Sequence, residues 1–183
     1  MTADRRHFLK ALGAAGLSAA TLATLEKAMA TPANNRTGTI MDVEHVVILM
    51  QENRAFDHYF GSFPGVRGLG DPRPLRLRNG HTVWRQPSDQ HPDGYVQPYW
   101  ADSKTTNAYV VDGADQGHTA ATIIVNGGRF DQWGVSRQLQ HRMTYYKASD
   151  LPYYHALAST FTILDAYHCS TLTQTYPNRL HLW

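Results

Sequence analysis

Glu52 and Asn53 are the first side chains whose types and position suggest chemistry. They follow residues 46–50, a run of β-branched and apolar residues without polar alternation, which predicts a strand buried on both faces of a parallel α/β sheet. Ligands of such sheets bind beyond the carboxyl ends of the strands, and a carboxylate with an amide oxygen suits a hard divalent cation. The pair is therefore a candidate half of a metal site, although it also fits an ordinary turn or helix N-cap.

Thr175 is the candidate nucleophile. It lies in the segment 173–179, where Pro177 suits the first turn of a helix, so Thr175 is predicted to be the N-cap. Unpaired N–H groups at such a position favour an anion, and a nearby cation would activate the hydroxyl for attack on phosphorus. The same residues also fit a routine helix cap.

His118 is the third candidate. It ends the segment Asp115-Gln116-Gly117-His118, and an imidazole there can contact a phosphate oxygen or protonate a leaving group. The chain has 10 His in total, and a structural or surface role is the commoner outcome for any one of them. The residue pattern therefore leaves both roles open.

The surrounding segments predict short helices and strands. Residues 55–60 form a predicted helix that ends at Gly61, and the recurring Pro and Gly of residues 62–103 predict an irregular, hairpin-rich excursion. Residues 150–159, opened by Asp-Leu-Pro, predict another helix. Residues 161–165 predict a second buried strand.

The N-terminal residues have the organisation of an export signal. Arg5 and Arg6 precede an uncharged, weakly apolar run over residues 11–25, and residues 28–30 fit a small-x-small cleavage site. The paired arginines are similar to the twin-arginine export motif. The apolar run is shorter than the roughly 20 residues that span a bilayer, although an amphipathic helix or membrane anchor is the alternative.

From this signal we expect a protein that leaves the cytoplasm. Residues 1–30 are the predicted signal peptide, cleaved after Ala30 and handled by the twin-arginine export machinery, and residues 31–40 are a linker. The mature form is expected in the periplasm or outside the cell, without a transmembrane helix.

Composition excludes several classes of function. The formal net charge is +2, from 17 Lys and Arg against 15 Asp and Glu, without a basic run beyond the N-terminus, so we expect no nucleic-acid partner. Cys169 is the one cysteine, which excludes an intrachain disulfide and a cysteine-based zinc cluster. A bound metal must therefore have oxygen or imidazole ligands.

Three blocks together resemble one enzyme family. Residues 52–61, 115–133 and 150–183 resemble the phosphoesterase family that contains the bacterial phosphocholine-preferring phospholipases C and an acid phosphatase of similar architecture. Ala55 stands where this family usually has serine. The change removes a hydroxyl beside the candidate ligands but none of the ligands, so we expect a minor effect.

The resemblance implies a fold and a set of site residues. The fold is α/β, with residues 41–183 as the N-terminal portion of a catalytic domain, an alkaline-phosphatase-like three-layer α/β/α sandwich that is incomplete in this chain. Glu52, Asn53 and Thr175 are implied ligands of a divalent metal ion. Thr175 is also the implied nucleophile, and His118 the implied phosphate contact. We expect a later carboxylate pair to complete the metal site and this piece alone to be inactive.

The implied reaction is that of a phospholipase C, which cleaves phosphatidylcholine-type diesters at a membrane surface into diacylglycerol and phosphocholine. Aromatic rings can also hold a quaternary ammonium group, and the candidates for this role are Trp84, Tyr95, Tyr99, Trp100 and Tyr109. Packing in the core or in hairpins is the commoner role for each of these rings. A phosphomonoesterase with the same nucleophile and metal is one alternative. An exported, non-catalytic binding module is another.

Overall fold

The chain forms short helices and small sheets. The computed structural model describes residues 18–52, 54–107, 115–135 and 141–182. The α-helices within these ranges are α1 (Ala19–Ala30), α2 (Phe56–Phe60), α3 (His118–Val125), α4 (Pro152–Thr160) and α5 (Thr175–Leu180). This mixture is compatible with an α/β fold.

The strands in the described part of the chain are two residues long and form two pairs. Strand β1 (Gln86–Pro87) is antiparallel to β2 (Tyr95–Val96), and β3 (Tyr99–Trp100) is parallel to β4 (Thr144–Tyr145). Strands β1 to β3 fall within the Pro- and Gly-rich excursion, which otherwise consists of turns and irregular backbone. The prediction of an irregular, hairpin-rich segment is confirmed.

The two helices predicted around this excursion are also confirmed. Helix α2 begins at Phe56, after Ala55 in extended conformation (φ −71°, ψ 158°), and ends where the Gly61 amide donates to the Asp57 carbonyl. Helix α4 begins at Pro152, because the fixed φ of proline and its missing N–H suit the first turn.

The two predicted buried strands are wrong. Residues 46–50 and 161–165 lack regular secondary structure, and Val47, Leu49 and Leu164 are 92%, 84% and 63% exposed. A strand needs neighbours that accept and donate its backbone hydrogen bonds, and an apolar run gains from a sheet only when other elements cover it. No strand among the described residues pairs with either segment, so the runs stay irregular.

The chain divides into two compact units. The first comprises residues 1–53 and 152–163, and its core lies between α1 and α4. The buried or partly buried core side chains are Leu22, Leu25, Ala156 and Leu157. Leucines three residues apart share one face of α1, and Ala156 is small enough to let the two helices approach.

The predicted export signal lies partly outside the described residues. Arg5 and Arg6 are in the portion that the structure leaves undescribed. Helix α1 ends at Ala30, and Thr31 follows it in extended conformation (φ −71°, ψ 122°). None of the helices in the described ranges has the length and apolar character needed to cross a membrane.

The second unit comprises residues 54–151 and 164–183, and Tyr146 lies at its centre with 1% of its surface exposed. The Tyr146 amide donates to the His58 carbonyl at 2.8 Å, and the two rings lie 4.6 Å apart. The Ser62 hydroxyl donates to the Tyr146 carbonyl at 2.8 Å. These contacts hold α2 against the segment that follows β4.

Asp150 binds the irregular segment 62–103 to the rest of the second unit. Its carboxylate accepts hydrogen bonds from the Trp100 indole N–H, from the Ser103 amide and hydroxyl, and from the Lys147 amide, all between 2.8 and 2.9 Å. Burial raises the pKa of Asp150, but the hydrogen bonds from Ser103, Trp100 and Lys147 outweigh it and hold the pKa below the ordinary value.

Candidate functional site

Thr175 is the first residue of α5 and is partly buried. The N-cap is Gln174, whose backbone is extended (φ −76°, ψ −173°) and whose side chain makes no cap hydrogen bond. The predicted N-cap position of Thr175 is therefore wrong by one residue, because the chain enters the helical conformation one residue earlier than the position of Pro177 suggested. Among the described residues, no side-chain hydrogen bond caps this helix.

The four residues before Thr175 form a loop, which we call the 171–174 loop, and Asn178 binds it. The Asn178 Nδ2 donates to the carbonyls of Thr171, Thr173 and Gln174 at 3.1, 3.0 and 3.1 Å. In return, the Asn178 Oδ1 accepts the Thr171 amide at 3.1 Å. One side chain of α5 thus fixes the backbone that leads into the candidate nucleophile.

His118 reaches the same loop from α3, of which it is the first residue. Its Nδ1 lies 2.8 Å from the Leu172 carbonyl oxygen. A carbonyl can only accept, so Nδ1 must carry the hydrogen. The neutral ring therefore leaves Nε2 as an acceptor, and Nε2 donates only when the ring is protonated. Two of the sequence-predicted residues, His118 and Thr175, are joined through this loop.

The candidate metal ligands are only partly described. Glu52 is exposed on irregular backbone in the first unit, Thr175 belongs to the second, and Asn53 lies outside the described residues. Oxygen ligands of these types fit a hard cation, which takes about six or more of them. Across the described part of the chain, no three His, Cys, Asp or Glu side chains come together. These residues alone do not complete a metal site.

A cavity of about 290 Å³ in the second unit holds polar groups that sequence reasoning missed. Its lining is largely apolar and aromatic and includes Trp84, Phe130, Trp133 and Tyr145. The Asp57 Oδ1 and the Trp84 Nε1 are buried, and neither has a hydrogen-bond partner among the described residues. Burial raises the pKa of Asp57 to about 6. The alternation of Phe, Asp and His in α2 gave no signal that Asp57 would point inward.

The pKa of the neighbouring His58 is shifted in the opposite direction. Burial, followed by the charge of Arg54, lowers the pKa of His58 to about 4. Desolvation disfavours the charged form of each group, which raises the pKa of an acid and lowers that of a base. At neutral pH His58 is therefore uncharged.

Two of the aromatic rings proposed for a quaternary ammonium already face cations of the chain. The Arg85 guanidinium lies 3.9 Å from the Tyr95 ring centroid, and the Lys147 ammonium lies 3.7 Å from that of Trp100. Trp84 lines the cavity, whereas Tyr109 lies outside the described residues. Cation–π contacts thus form here, but with partners inside the protein.

Comparison with known proteins identifies the family. A profile of the phosphoesterase family matches residues 43–183. The chain belongs to the phosphoesterase family. It is 45% identical over 183 residues to the non-hemolytic phospholipase C of Burkholderia pseudomallei, covering 98% of this chain and 26% of that protein.

Two further relatives of this member of the phosphoesterase family are also phospholipases C. It is 47% identical over 181 residues to the hemolytic phospholipase C of Pseudomonas aeruginosa, covering 97% of this chain and 24% of the relative. It is 37% identical over 194 residues to phospholipase C A of Mycobacterium tuberculosis, covering 97% of this chain and 36% of that relative. The chain thus spans about a quarter to a third of the length of these curated relatives.

Proposed function

We propose that the complete gene product, the protein translated from the whole reading frame that encodes this chain, is a phospholipase C. It hydrolyses phosphatidylcholine-type diesters at a membrane surface to diacylglycerol and phosphocholine, with Thr175 as the nucleophile. The observation that best supports this is the hydrogen bond between the His118 Nδ1 and the Leu172 carbonyl, because it links a candidate phosphate-binding imidazole to the candidate nucleophile's loop. Similarity to phospholipases C supplies the substrate class.

The proposed reaction has two displacements at phosphorus. The Thr175 oxygen attacks, the bond from phosphorus to the diacylglycerol oxygen breaks, and that oxygen takes up a proton. Thr175 is then esterified to phosphocholine. Water attacks the same phosphorus, the bond to the Thr175 oxygen breaks, and phosphocholine leaves as the threonine hydroxyl regains a proton.

His118 can serve both steps because its tautomer is fixed. When the ring is protonated, its Nε2–H donates to a phosphate oxygen or to the leaving oxygen. When the ring is neutral, Nδ1 still holds its hydrogen on the Leu172 carbonyl, and Nε2 can accept a proton from the attacking water. The loop contact therefore keeps the working nitrogen directed away from the backbone.

Glu52, Asn53 and Thr175 are proposed to contribute oxygen ligands to a divalent metal ion. The chemistry that such an ion supplies is stabilisation of negative charge on the attacking oxygen and the phosphoryl group. Glu52→Gln keeps the side-chain shape but removes its charge, and we expect at least about a 100-fold loss of kcat together with loss of bound metal. Glu44→Gln is the matched control, since the Glu44 carboxylate is exposed and lies 3.2 Å from Arg36. Metal content measured by mass spectrometry that is equal in both variants would remove Glu52 from the site.

The nucleophile is tested with three threonine variants of the complete gene product. Thr175→Ala is expected to lower kcat on p-nitrophenyl phosphocholine by at least about 1,000-fold, and Thr175→Ser to restore part of it because the hydroxyl returns. Thr173→Ala, two residues away in the loop, should match wild type. Undiminished hydrolysis by Thr175→Ala would refute the mechanism, and faster hydrolysis of p-nitrophenyl phosphate by wild type would favour a phosphomonoesterase.

The fold and location of the complete protein are part of the proposal. We propose an alkaline-phosphatase-like α/β/α sandwich of which residues 41–183 are the N-terminal portion. Residues 1–30 are proposed as a twin-arginine signal peptide and residues 31–40 as a linker, which places the protein in the periplasm or outside the cell. Changing Arg5 and Arg6 together to Lys should block export, whereas Arg36→Lys should not. Unimpaired export of the double variant would contradict the signal.

A further inference from the structure

The Asn178 carboxamide holds the 171–174 loop in a way that only an amide can. Its Nδ2 has two hydrogens and three carbonyl acceptors at 3.0 to 3.1 Å, so at least one hydrogen is shared between two carbonyls. The Oδ1 takes the Thr171 amide. The reversed orientation would set the Oδ1 against three carbonyl oxygens, so the hydrogen-bond pattern fixes which way the amide points.

This binding also fixes the anchor of His118. Leu172 lies between Thr171 and Thr173, whose carbonyls both bind Asn178, and the Leu172 carbonyl is the one that accepts the His118 Nδ1. On the other side, the Gln174 carbonyl binds Asn178 immediately before Thr175. Both candidate catalytic side chains are thus attached to backbone that one side chain restrains.

We infer that Asn178 is the positioning residue of this site: by restraining the 171–174 loop it sets where the Thr175 hydroxyl stands relative to His118. The inference rests on the proposed function, since it assigns Asn178 no contact with substrate. A displacement of about 1 Å at a reacting group is enough to slow a reaction by about 100-fold. The effect should therefore appear in the chemical step rather than in substrate binding.

The test uses two variants of the complete gene product. Asn178→Ala removes the amide, and Asn178→Asp keeps its shape but places a carboxylate oxygen against the three carbonyls. Each is expected to lower kcat on p-nitrophenyl phosphocholine by about 10- to 100-fold with KM within about threefold of wild type. His181→Ala is the control, because His181 is the exposed C-cap of the same helix, and it should behave as wild type.

Inhibition by vanadate separates positioning from stability. Vanadate adopts the five-coordinate geometry of phosphorus under attack, so its inhibition constant should rise in parallel with the loss of kcat, at a temperature where thermal unfolding shows each variant folded. A folded Asn178→Ala variant with wild-type kcat would overturn the inference. So would loss of folding in both variants, which would make Asn178 a stability residue.

Failure of this inference differs from failure of the proposed function. If Thr175→Ala abolishes hydrolysis while both Asn178 variants keep wild-type kcat, Thr175 remains the nucleophile and Asn178 does not position it. If Thr175→Ala hydrolyses substrate as wild type does, the proposed function itself fails, whatever the Asn178 variants show.

Discussion

The segments before and after the Glu52-Asn53 pair differ sharply in their surroundings. Before it, the apolar side chains of residues 46–50 are 37 to 92% exposed. After it, α2 packs on Tyr146, and His58 is only 8% exposed. The second segment finds partners among the described residues of its own unit, whereas the first has no strand beside it there. A short apolar run specifies burial, but it cannot form a strand until the rest of a sheet is present.

The largest effect on stability is expected within residues 46–50, because burial of these residues in the complete gene product would remove their contrast with α2. If the proposed sandwich gives residues 46–50 a place in its sheet, Val47→Asp will bury an unpaired carboxylate in the complete gene product. We expect the free energy of unfolding in urea to fall by at least about 3 kcal/mol. Val43→Asp, at a half-exposed position before the run, should fall by less than about 1 kcal/mol. Equal stability of both variants would mean that the run stays uncovered.

Substitutions at Gly68 and Gly70 test how tightly the segment that follows Glu52-Asn53 is packed. A Cβ at Gly68 would lie 2.5 Å from the Gly61 carbonyl oxygen, and the Leu69 amide donates to that same oxygen at 2.8 Å. Gly68→Ala should therefore lower the free energy of unfolding by about 1–3 kcal/mol. Gly70→Ala is the control, because no heavy atom lies within 4 Å of its Cβ position, and it should stay within about 0.5 kcal/mol of wild type. Equal losses would contradict the close approach.

Asp57 and His58 make the stability of this region depend on pH in opposite directions. The folded pKa of Asp57, about 6, lies above its ordinary 3.8, so its contribution is fully present below pH 3.8 and is lost as pH rises through 6. The folded pKa of His58, about 4, lies below its ordinary 6.5, so its contribution is present above pH 6.5 and is lost as pH falls through 4. In wild type the two contributions to the free energy of unfolding change in opposite directions between pH 4 and 6 and therefore offset each other.

In the Asp57→Asn variant, the pH dependence of the free energy of unfolding that is due to His58 should become visible. We expect the variant to be more stable than wild type at pH 7 by about 1–2 kcal/mol, after allowance for partial exposure to solvent, and to lose that advantage as pH falls to 4. Urea unfolding of the complete gene product across this range measures it. Asp89→Asn, at an exposed carboxylate, is the control and should follow the wild-type curve. A constant difference at every pH would contradict the burial of Asp57.

The smallest effect is expected at Ala55. This residue is the N-cap of α2 and its methyl group makes no cap hydrogen bond, so Ala55→Ser would supply an acceptor for an unpaired amide of the first turn. We expect a gain of about 0.5–1 kcal/mol in the free energy of unfolding. The same change inside a helix, Ala121→Ser in α3, should instead lower stability slightly. Absence of a gain at Ala55 would show that α2 does not begin at Phe56.

What the sequence predicted correctly depends on local contacts. Pro152 and Gly61 placed one end each of α4 and α2, because the conformational limits of proline and glycine act within a turn. Thr175 was misplaced by one residue, since the extended backbone of Gln174 follows from the loop before it. The predictions of strands at residues 46–50 and 161–165 were wrong because the strands that would pair with them are not adjacent in sequence.

The candidate site was predictable as residues and not as geometry. The contact that links His118 to Leu172 spans 54 positions, and no local pattern announces it. Asn178 lies in the segment 173–179, where no sequence pattern assigns it a role, because its hydrogen bonds require the turn at residues 171–174. A tendency of asparagine to bind nearby backbone was the one available signal.

The central claim is that the Thr175 oxygen becomes bonded to phosphorus during turnover. The most direct measurement is acid quenching of the complete gene product during hydrolysis of p-nitrophenyl phosphocholine, followed by peptide mass spectrometry. The account predicts a phosphocholine ester on Thr175 that disappears when substrate is exhausted. An ester on a different residue, or wild-type turnover by Thr175→Ala, would contradict it.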